Sequence, residues 1–348
     1  MSTKRNKSNA RISEIKAKRK VEISVDEIFE GLLSNDKTSL GRAITLVESN
    51  NPDHYDAAQE LIERCLNIKI LSTRIGITGV PGVGKSTFIE TLGINLTDVK
   101  KKVAVLAIDP TSIKNKGSIL GDKTRMQQLS QNSNAFIRPS PAGESLGGVA
   151  QKTREAIIIC EAAGYDIILI ETVGVGQSEV AVHSMVDFFL VLKLSGAGDE
   201  LQGIKRGILE LADAVVINKA DGDNINAANL AVKEFTRALH LYPPKNNGWT
   251  AKVAACSALE NSGIKEIWEM IDYYLKENSK NGYLKILRNE QNKYWLLQTI
   301  ENRLLSDFYQ NVIIKKELVV QLEEVSKGNT SPFKAAQKLL SLGKNSEN

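Results

Sequence analysis

Eight consecutive residues, Gly79-Val80-Pro81-Gly82-Val83-Gly84-Lys85-Ser86, fit the spacing G-x-x-x-x-G-K-[ST] without a mismatch. That spacing serves to hold a chain of phosphates. Glycines let backbone N–H groups turn inward on anionic oxygens, and a helix starting at the end of the loop adds the positive end of its dipole. On this reading the backbone of Gly82, Val83, Gly84 and Thr87 cradles the phosphates. Lys85 reaches the β and γ oxygens, and the Ser86 hydroxyl ligates Mg²⁺. Neither Gly82-Val83-Gly84 nor Gly174-Val175-Gly176 carries the third glycine of a dinucleotide fingerprint, which disfavours a dehydrogenase.

Further along, Asn218-Lys219-Ala220-Asp221 follows an apolar run and has the form N-K-x-D. An Asp carboxylate there accepts from the N1–H and exocyclic amine of guanine, which adenine cannot offer. The Lys219 stem would cover the base plane and Asn218 would fix the loop; a plain turn carboxylate is the bland alternative for Asp221. Ser257-Ala258-Leu259 follows the next strand and would supply backbone donors to the guanine O6. Three acids are candidates for the metal and the chemistry. Glu171 opens Glu171-Thr172-Val173-Gly174, Asp109 ends an apolar run, and Asp122 lies in Gly121-Asp122-Lys123. Asp109 and Asp122 also read as loop-capping acids.

The elements that must position these residues are legible at coarse grain. Apolar runs at 103–108, 167–170, 188–192 and 214–217 alternate with helical segments and read as buried parallel strands. The expected fold is a P-loop α/β domain, a doubly wound and mainly parallel sheet over residues 71–277. Residues 22–70 read as helical, with a capping box at Ser24-Val25-Asp26-Glu27 and Tyr55, Ala58, Ile62 and Cys65 on one helix face. Residues 278–348 return to the helical period through Leu297, Ile300, Leu304 and Phe308. This arm is too short for a core of its own, so it packs on the body or meets a second copy.

Charge bears on the partner. The 348 residues carry 45 Lys+Arg and 41 Asp+Glu, a net +4, but residues 1–20 alone hold eight bases and one acid. The rest is therefore slightly acidic at −3, which argues against nucleic acid as partner and marks residues 1–21 as a disordered basic tail. No apolar run is long enough to cross a bilayer. Three scattered cysteines and three scattered histidines offer no disulfide framework and no zinc or nickel cluster, which fits a cytoplasmic setting. The acid-poor N-terminus leaves a mitochondrial presequence, and hence the matrix, as an alternative.

In chain order, GITGVPGVGKSTFIE, LAIDPTS, GSILGDKTRM, IRPSP, LGGVAQKTRE, IETVGVGQSEV, GAGDELQGIK, NKAD and CSAL make the chain resemble the MeaB/ArgK family of P-loop GTPases over residues 22–330. The resemblance implies a chaperone that uses GTP, GDP and Mg²⁺. Its partner would be an adenosylcobalamin-dependent acyl-CoA mutase, chiefly methylmalonyl-CoA mutase, whose cofactor loading it gates and which it protects from inactivation. It also implies that Asp109, Asp122 and Glu171 are active-site acids, with Lys85, Asp122 and Glu171 catalytic and Ser86, Asp109 and Glu171 on the metal. Residues 117–126, 172–179 and 196–205 would be three switches, and the C-terminal helices a homodimerisation arm. Asn115-Lys116-Gly117 and Ala142-Gly143-Glu144 depart from the family pattern in loops that bear on switching rather than on nucleotide binding.

The position after the second switch's glycine is Val175, where Ras-like enzymes carry a water-orienting glutamine. Slow intrinsic hydrolysis is expected, raised when a partner orders the switches, with Gln177 as a substitute. Asp199, Glu200, Lys205 and Arg206 are expected to relay the nucleotide state to the partner. The rival readings are an ATP-dependent kinase or transport accessory, and a metallochaperone-type GTPase; N-K-A-D opposes the first and the missing Cys/His ligands the second.

Overall fold

The computed structural model describes residues 24–68, 72–109, 126–141, 146–172, 178–196 and 206–345. Among the described residues three helices come first: α1 (Val25–Leu33), α2 (Lys37–Glu48) and α3 (Tyr55–Leu66). Ser24 caps α1 by accepting the Glu27 N–H at 3.2 Å, and the Asp36 carboxylate caps α2 through the N–H groups of Thr38 and Ser39. Leu32, Leu40, Ile44 and Leu61 lie fully buried between these helices and α6 (Leu146–Ala162).

Seven strands follow among the described residues: β1 (Thr73–Gly79), β2 (Val103–Asp109), β3 (Ala135–Pro141), β4 (Ile167–Glu171), β5 (Phe188–Leu194), β6 (Ala214–Asn218) and β7 (Lys252–Ala255). They form one sheet in the order β3-β2-β4-β1-β5-β6-β7, with every pairing parallel. The α/β expectation holds. Strand β3 is not announced by the apolar pattern, because it contains Arg138, Pro139 and Pro141. As an edge strand paired only with β2 it tolerates them.

Alternation along each strand divides the core in two. Ile75, Ile77, Leu169, Leu190 and Leu192 face α4 (Lys85–Asp98), α5 (Gln127–Gln131) and α10 (Ile264–Lys280). Ile168, Ile170, Phe189 and Val191 face α1–α3, α6, α7 (Ser178–His183), α8 (Arg206–Leu211) and α9 (Ile225–Leu239). Burying each such Ile, Leu or Phe contributes about 1.5–3 kcal/mol. On β1 the second face is read by Gly76, where a Cβ would lie 2.8 Å from the Phe189 ring and 2.9 Å from Val182, so only glycine lets α7 close on the strand.

Three helices finish the chain: α11 (Tyr283–Gln310), α12 (Val312–Ser326) and α13 (Pro332–Asn345). The foot of α11 is bound to the α7–β5 corner. Arg288 grips Asp187 through two bonds of 2.7 and 2.8 Å, Gln291 Nε2 donates to the Val186 carbonyl at 2.8 Å, and Trp295 Nε1 donates to the Ser184 carbonyl at 3.1 Å. The Arg154 guanidinium of α6 stacks over the Trp295 ring at 5.1 Å. Beyond that foot, Leu297, Ile300 and Leu304 are exposed at 60, 47 and 65%.

The expected helix face of α3 is partly corrected. Ala58, Ile62 and Cys65 are buried, but Tyr55 is exposed and lies under the Arg303 guanidinium at 5.7 Å, while Leu61 takes the core position. No helix among the described residues is long and apolar enough to cross a membrane.

Candidate functional site

The C-terminal ends of β1, β4, β6 and β7 converge on one edge of the sheet, where parallel α/β folds leave a crevice. Between β1 and α4 the chain must reverse within a few residues. Gly84 caps α4 with φ of +92°, and a Cβ there would stand 2.7 Å from the Asn218 amide, so both backbone angle and space require glycine. The Lys85 ammonium is buried in the bowl of the loop, 2.9 Å from the Gly79 carbonyl and 3.4 Å from that of Val80. It places a positive charge where a phosphate oxygen would enter. On the next residue, the Ser86 hydroxyl donates to Glu171 Oε1 at 3.3 Å. A hydroxyl and a carboxylate side by side are the hard oxygen donors that Mg²⁺ takes.

Asn218, buried at the end of β6, joins two loops. Its Nδ2 donates to the Val83 carbonyl at 2.8 Å, and its Oδ1 accepts the Ala258 N–H at 3.2 Å and the Cys256 thiol at 3.5 Å. The phosphate loop and the loop after β7 are thus held by one amide. Burial pushes the Cys256 thiol up to about 12, so it stays protonated and can donate. Lys219 adopts φ of +60° and its side chain is exposed. Asp221 accepts from the Ser257 hydroxyl at 2.5 Å, and Ser257 Oγ in turn accepts the Glu260 N–H at 3.1 Å. Ser257 therefore contributes its side chain to fixing Asp221, which the motif alone did not suggest. Leu259 stands 82% exposed at the rim.

Helix α4 ties the two loops again. Thr91 Oγ1 donates to the Ala258 carbonyl at 2.8 Å, and Asn95 and Asn261 exchange amide bonds at 2.8 and 3.1 Å. A second chain of bonds runs from Ser195, at the end of β5, through Asn224 to the Lys219 carbonyl at 2.7 and 2.6 Å. Sequence reasoning missed these couplings, since nothing local marks Thr91 or Asn224.

Of the predicted residues, Gly82, Val83, Gly84, Lys85, Ser86, Thr87, Glu171, Asn218, Lys219, Asp221, Ser257, Ala258 and Leu259 lie along this edge. Asp109 ends β2 two residues beyond the pairing of Ala107 with Glu171. Asp122, Val175, Gln177, Asp199, Glu200 and Lys205, with most of the three expected switches and the basic tail, lie outside the described residues, as does the Arg206 side chain.

Comparisons with known proteins give the family and the fold. Residues 40–312 match the family model described as Methylmalonyl Co-A mutase-associated GTPase MeaB. A putative GTPase of Caulobacter vibrioides is 48% identical over 319 residues, 91% of this chain and 97% of that protein. The mouse protein called methylmalonic aciduria type A homolog, mitochondrial, is 44% identical over 326 residues, covering 91% of this chain and 79% of its own length. Among solved structures, one titled LAO/AO transport system kinase superposes with a TM-score of 0.73 at 36% identity, over 92% of this chain and 98% of that one.

Proposed function

Since this chain belongs to the MeaB family of GTPases, we propose that it binds GTP, hydrolyses it to GDP and phosphate, and acts as a chaperone of an adenosylcobalamin-dependent acyl-CoA mutase. Methylmalonyl-CoA mutase is the first candidate; the chain would gate its cofactor loading and protect it from inactivation. The observation that carries the nucleotide assignment is Asn218, which bonds the Val83 carbonyl on one side and the Ala258 N–H on the other while Ser257 fixes Asp221. A phosphate cradle and a guanine-reading carboxylate are thereby held as one frame.

In this reading Lys85 turns from the Gly79 carbonyl to the β and γ oxygens, exchanging a neutral acceptor for a charged one. Ser86, Asp109 and Glu171 would hold Mg²⁺, with water and phosphate as its other ligands. When bound, the ion neutralises charge that develops between the β and γ phosphates. Asp122 would act beside it as a third acid. The Asp221 carboxylate accepts two guanine donors and rejects adenine, while the exposed Lys219 stem lies along the base. Val175 offers no hydrogen bond to an attacking water, so hydrolysis by the free chain is slow. Lys205 and its neighbours relay the bound state, and the C-terminal helices form a homodimer. Gating then requires that the GTP and GDP forms bind the mutase unequally.

The deciding experiment measures GTP and ATP hydrolysis with and without methylmalonyl-CoA mutase, apo and cobalamin-loaded. GTP should be preferred and its turnover raised by the mutase. Equal use of ATP would favour the kinase or transport-accessory reading. A rate unmoved by any cobalamin mutase would remove the chaperone role and leave a GTPase.

A further inference from the structure

Three polar side chains meet inside the second face of the core, beneath the nucleotide edge. Thr78, Thr172 and Glu179 are each 2% exposed or less. The Thr172 hydroxyl donates to Thr78 Oγ1 at 2.7 Å, and Thr78 Oγ1 lies 3.5 Å from Glu179 Oε1, to which it can donate in turn. A hydroxyl has one proton and two lone pairs, so Thr78 can accept from one neighbour while donating to the other. The bonds run from Thr172 through Thr78 to a carboxyl oxygen of Glu179.

Strand alternation explains why these three meet. On β1, Gly76 and Thr78 point toward α7; on β4 and its extension, Ile168, Ile170 and Thr172 point the same way. Their chain neighbours Gly79 and Glu171 therefore point to the opposite face, where a Cβ on Gly79 would meet Val83 and Leu192. Thr78 sits one residue before the phosphate loop. Thr172 is one residue after Glu171, whose Oε1 is bonded by Ser86, and its N–H is held by the Ile77 carbonyl at 3.0 Å. Glu179 is on α7, which packs against β1 because Gly76 leaves it room. One hydroxyl thus joins the root of the phosphate loop to both the residue before and the helix after the sequence Val173-Gly174-Val175-Gly176-Gln177. Burying a carboxylate and two hydroxyls is costly unless they are bonded, and an apolar trio would pack there without that cost.

We infer that Thr78 is a positioning residue for GTP hydrolysis, which with Thr172 and Glu179 sets where Glu171 stands relative to the phosphate loop. The inference rests on the GTPase reading above. Because GDP lacks the γ phosphate, loss of this positioning affects turnover more than GDP binding.

The test uses the full chain with Thr78→Val, Thr78→Ser, Thr172→Val and Glu179→Gln. Single-turnover GTP hydrolysis, the affinity for a fluorescent GDP analogue and thermal unfolding are measured in parallel. Thr78→Val should slow hydrolysis about tenfold while GDP affinity stays within about twofold, and Thr78→Ser should restore the rate. Combined with Glu179→Gln it should be no slower than the slower single variant. If Thr78→Val does not fold, Thr172→Val must show the same split between rate and affinity. A wild-type rate in these variants overturns the inference. So does a rate loss matched by an equal loss of GDP affinity that serine does not rescue. A wild-type chain that binds GTP and never turns it over removes the GTPase reading itself, and that result precedes any substitution.

Discussion

Single side chains at the nucleotide edge carry separable energies. Asp221 is held by the Ser257 hydroxyl and, in the proposed complex, accepts two donors from guanine. Asp221→Asn keeps the shape but turns one acceptor into a donor, so GTP affinity should fall on the order of 100-fold. Xanthosine triphosphate, with an oxygen in place of the amine, should lose far less; competition against a fluorescent GDP analogue reads both. A different residue governs acid sensitivity. His183, the last residue of α7, packs edge-on against Phe189 at 5.6 Å, and burial, with the Lys245 charge nearby, pushes its pKa down to about 4. Between about 6.5 and 4 the unfolded chain binds a proton that the folded chain refuses. This contribution is therefore present in full above the unfolded value and is lost as pH falls through that window, by up to about 3 kcal/mol. Urea unfolding across pH 6.5 to 4 should show a shallower slope for His183→Gln; an unchanged slope would rule the residue out.

Elements show where sequence reading succeeds and where it stops. The phosphate loop and N-K-A-D were legible because each is contiguous: a strand, a turn and a helix start in one short run. The Thr78–Thr172–Glu179 chain was not, since its members lie 94 and 101 residues apart, and the β1–β4 register and the packing of α7 on β1 bring them together. A polar residue inside the apolar run of β1 was the available sign. Strand β3 escaped because two prolines mask it, and an edge position is what permits them. Tyr55 fitted the helical period of α3 yet faces Arg303, because periodicity fixes a face but not what covers it. Helix α11 gives a prediction at this scale. Trp295 is buried at its foot, bonded to Ser184 and covered by Arg154, so Trp295→Ala should cost about 3 kcal/mol in urea unfolding. Cleavage within residues 283–310 should become faster in limited proteolysis, whereas an intact α11 at wild-type stability would contradict that anchoring.

For the whole molecule, the two halves of the chain make different demands. The sheet buries both faces, while α11 and α12 leave Leu297, Ile300, Leu304, Val319 and Leu322 uncovered. A stripe of that kind marks an interaction surface, and in the proposed homodimer a second copy covers it. Leu297→Glu with Leu304→Glu should then turn a dimer into a monomer by light scattering, with GTP affinity changed less than about twofold because the site lies at the other end of the sheet. A wild-type monomer would remove the dimer. The bonded foot of α11 also has a mechanical meaning. Arg288 to Trp295 spans about 10 Å of helix, and Trp295 to Gln310 about another 22 Å, at 1.5 Å per residue. The helix is thus held to the body at two levels, at its foot by the corner that follows α7 and, about 12 Å farther along, by Arg303 over the Tyr55 ring of α3. The last seven residues, about 10 Å of helix, reach past that outer hold, so the corner after α7 and helix α3 share one rigid strut.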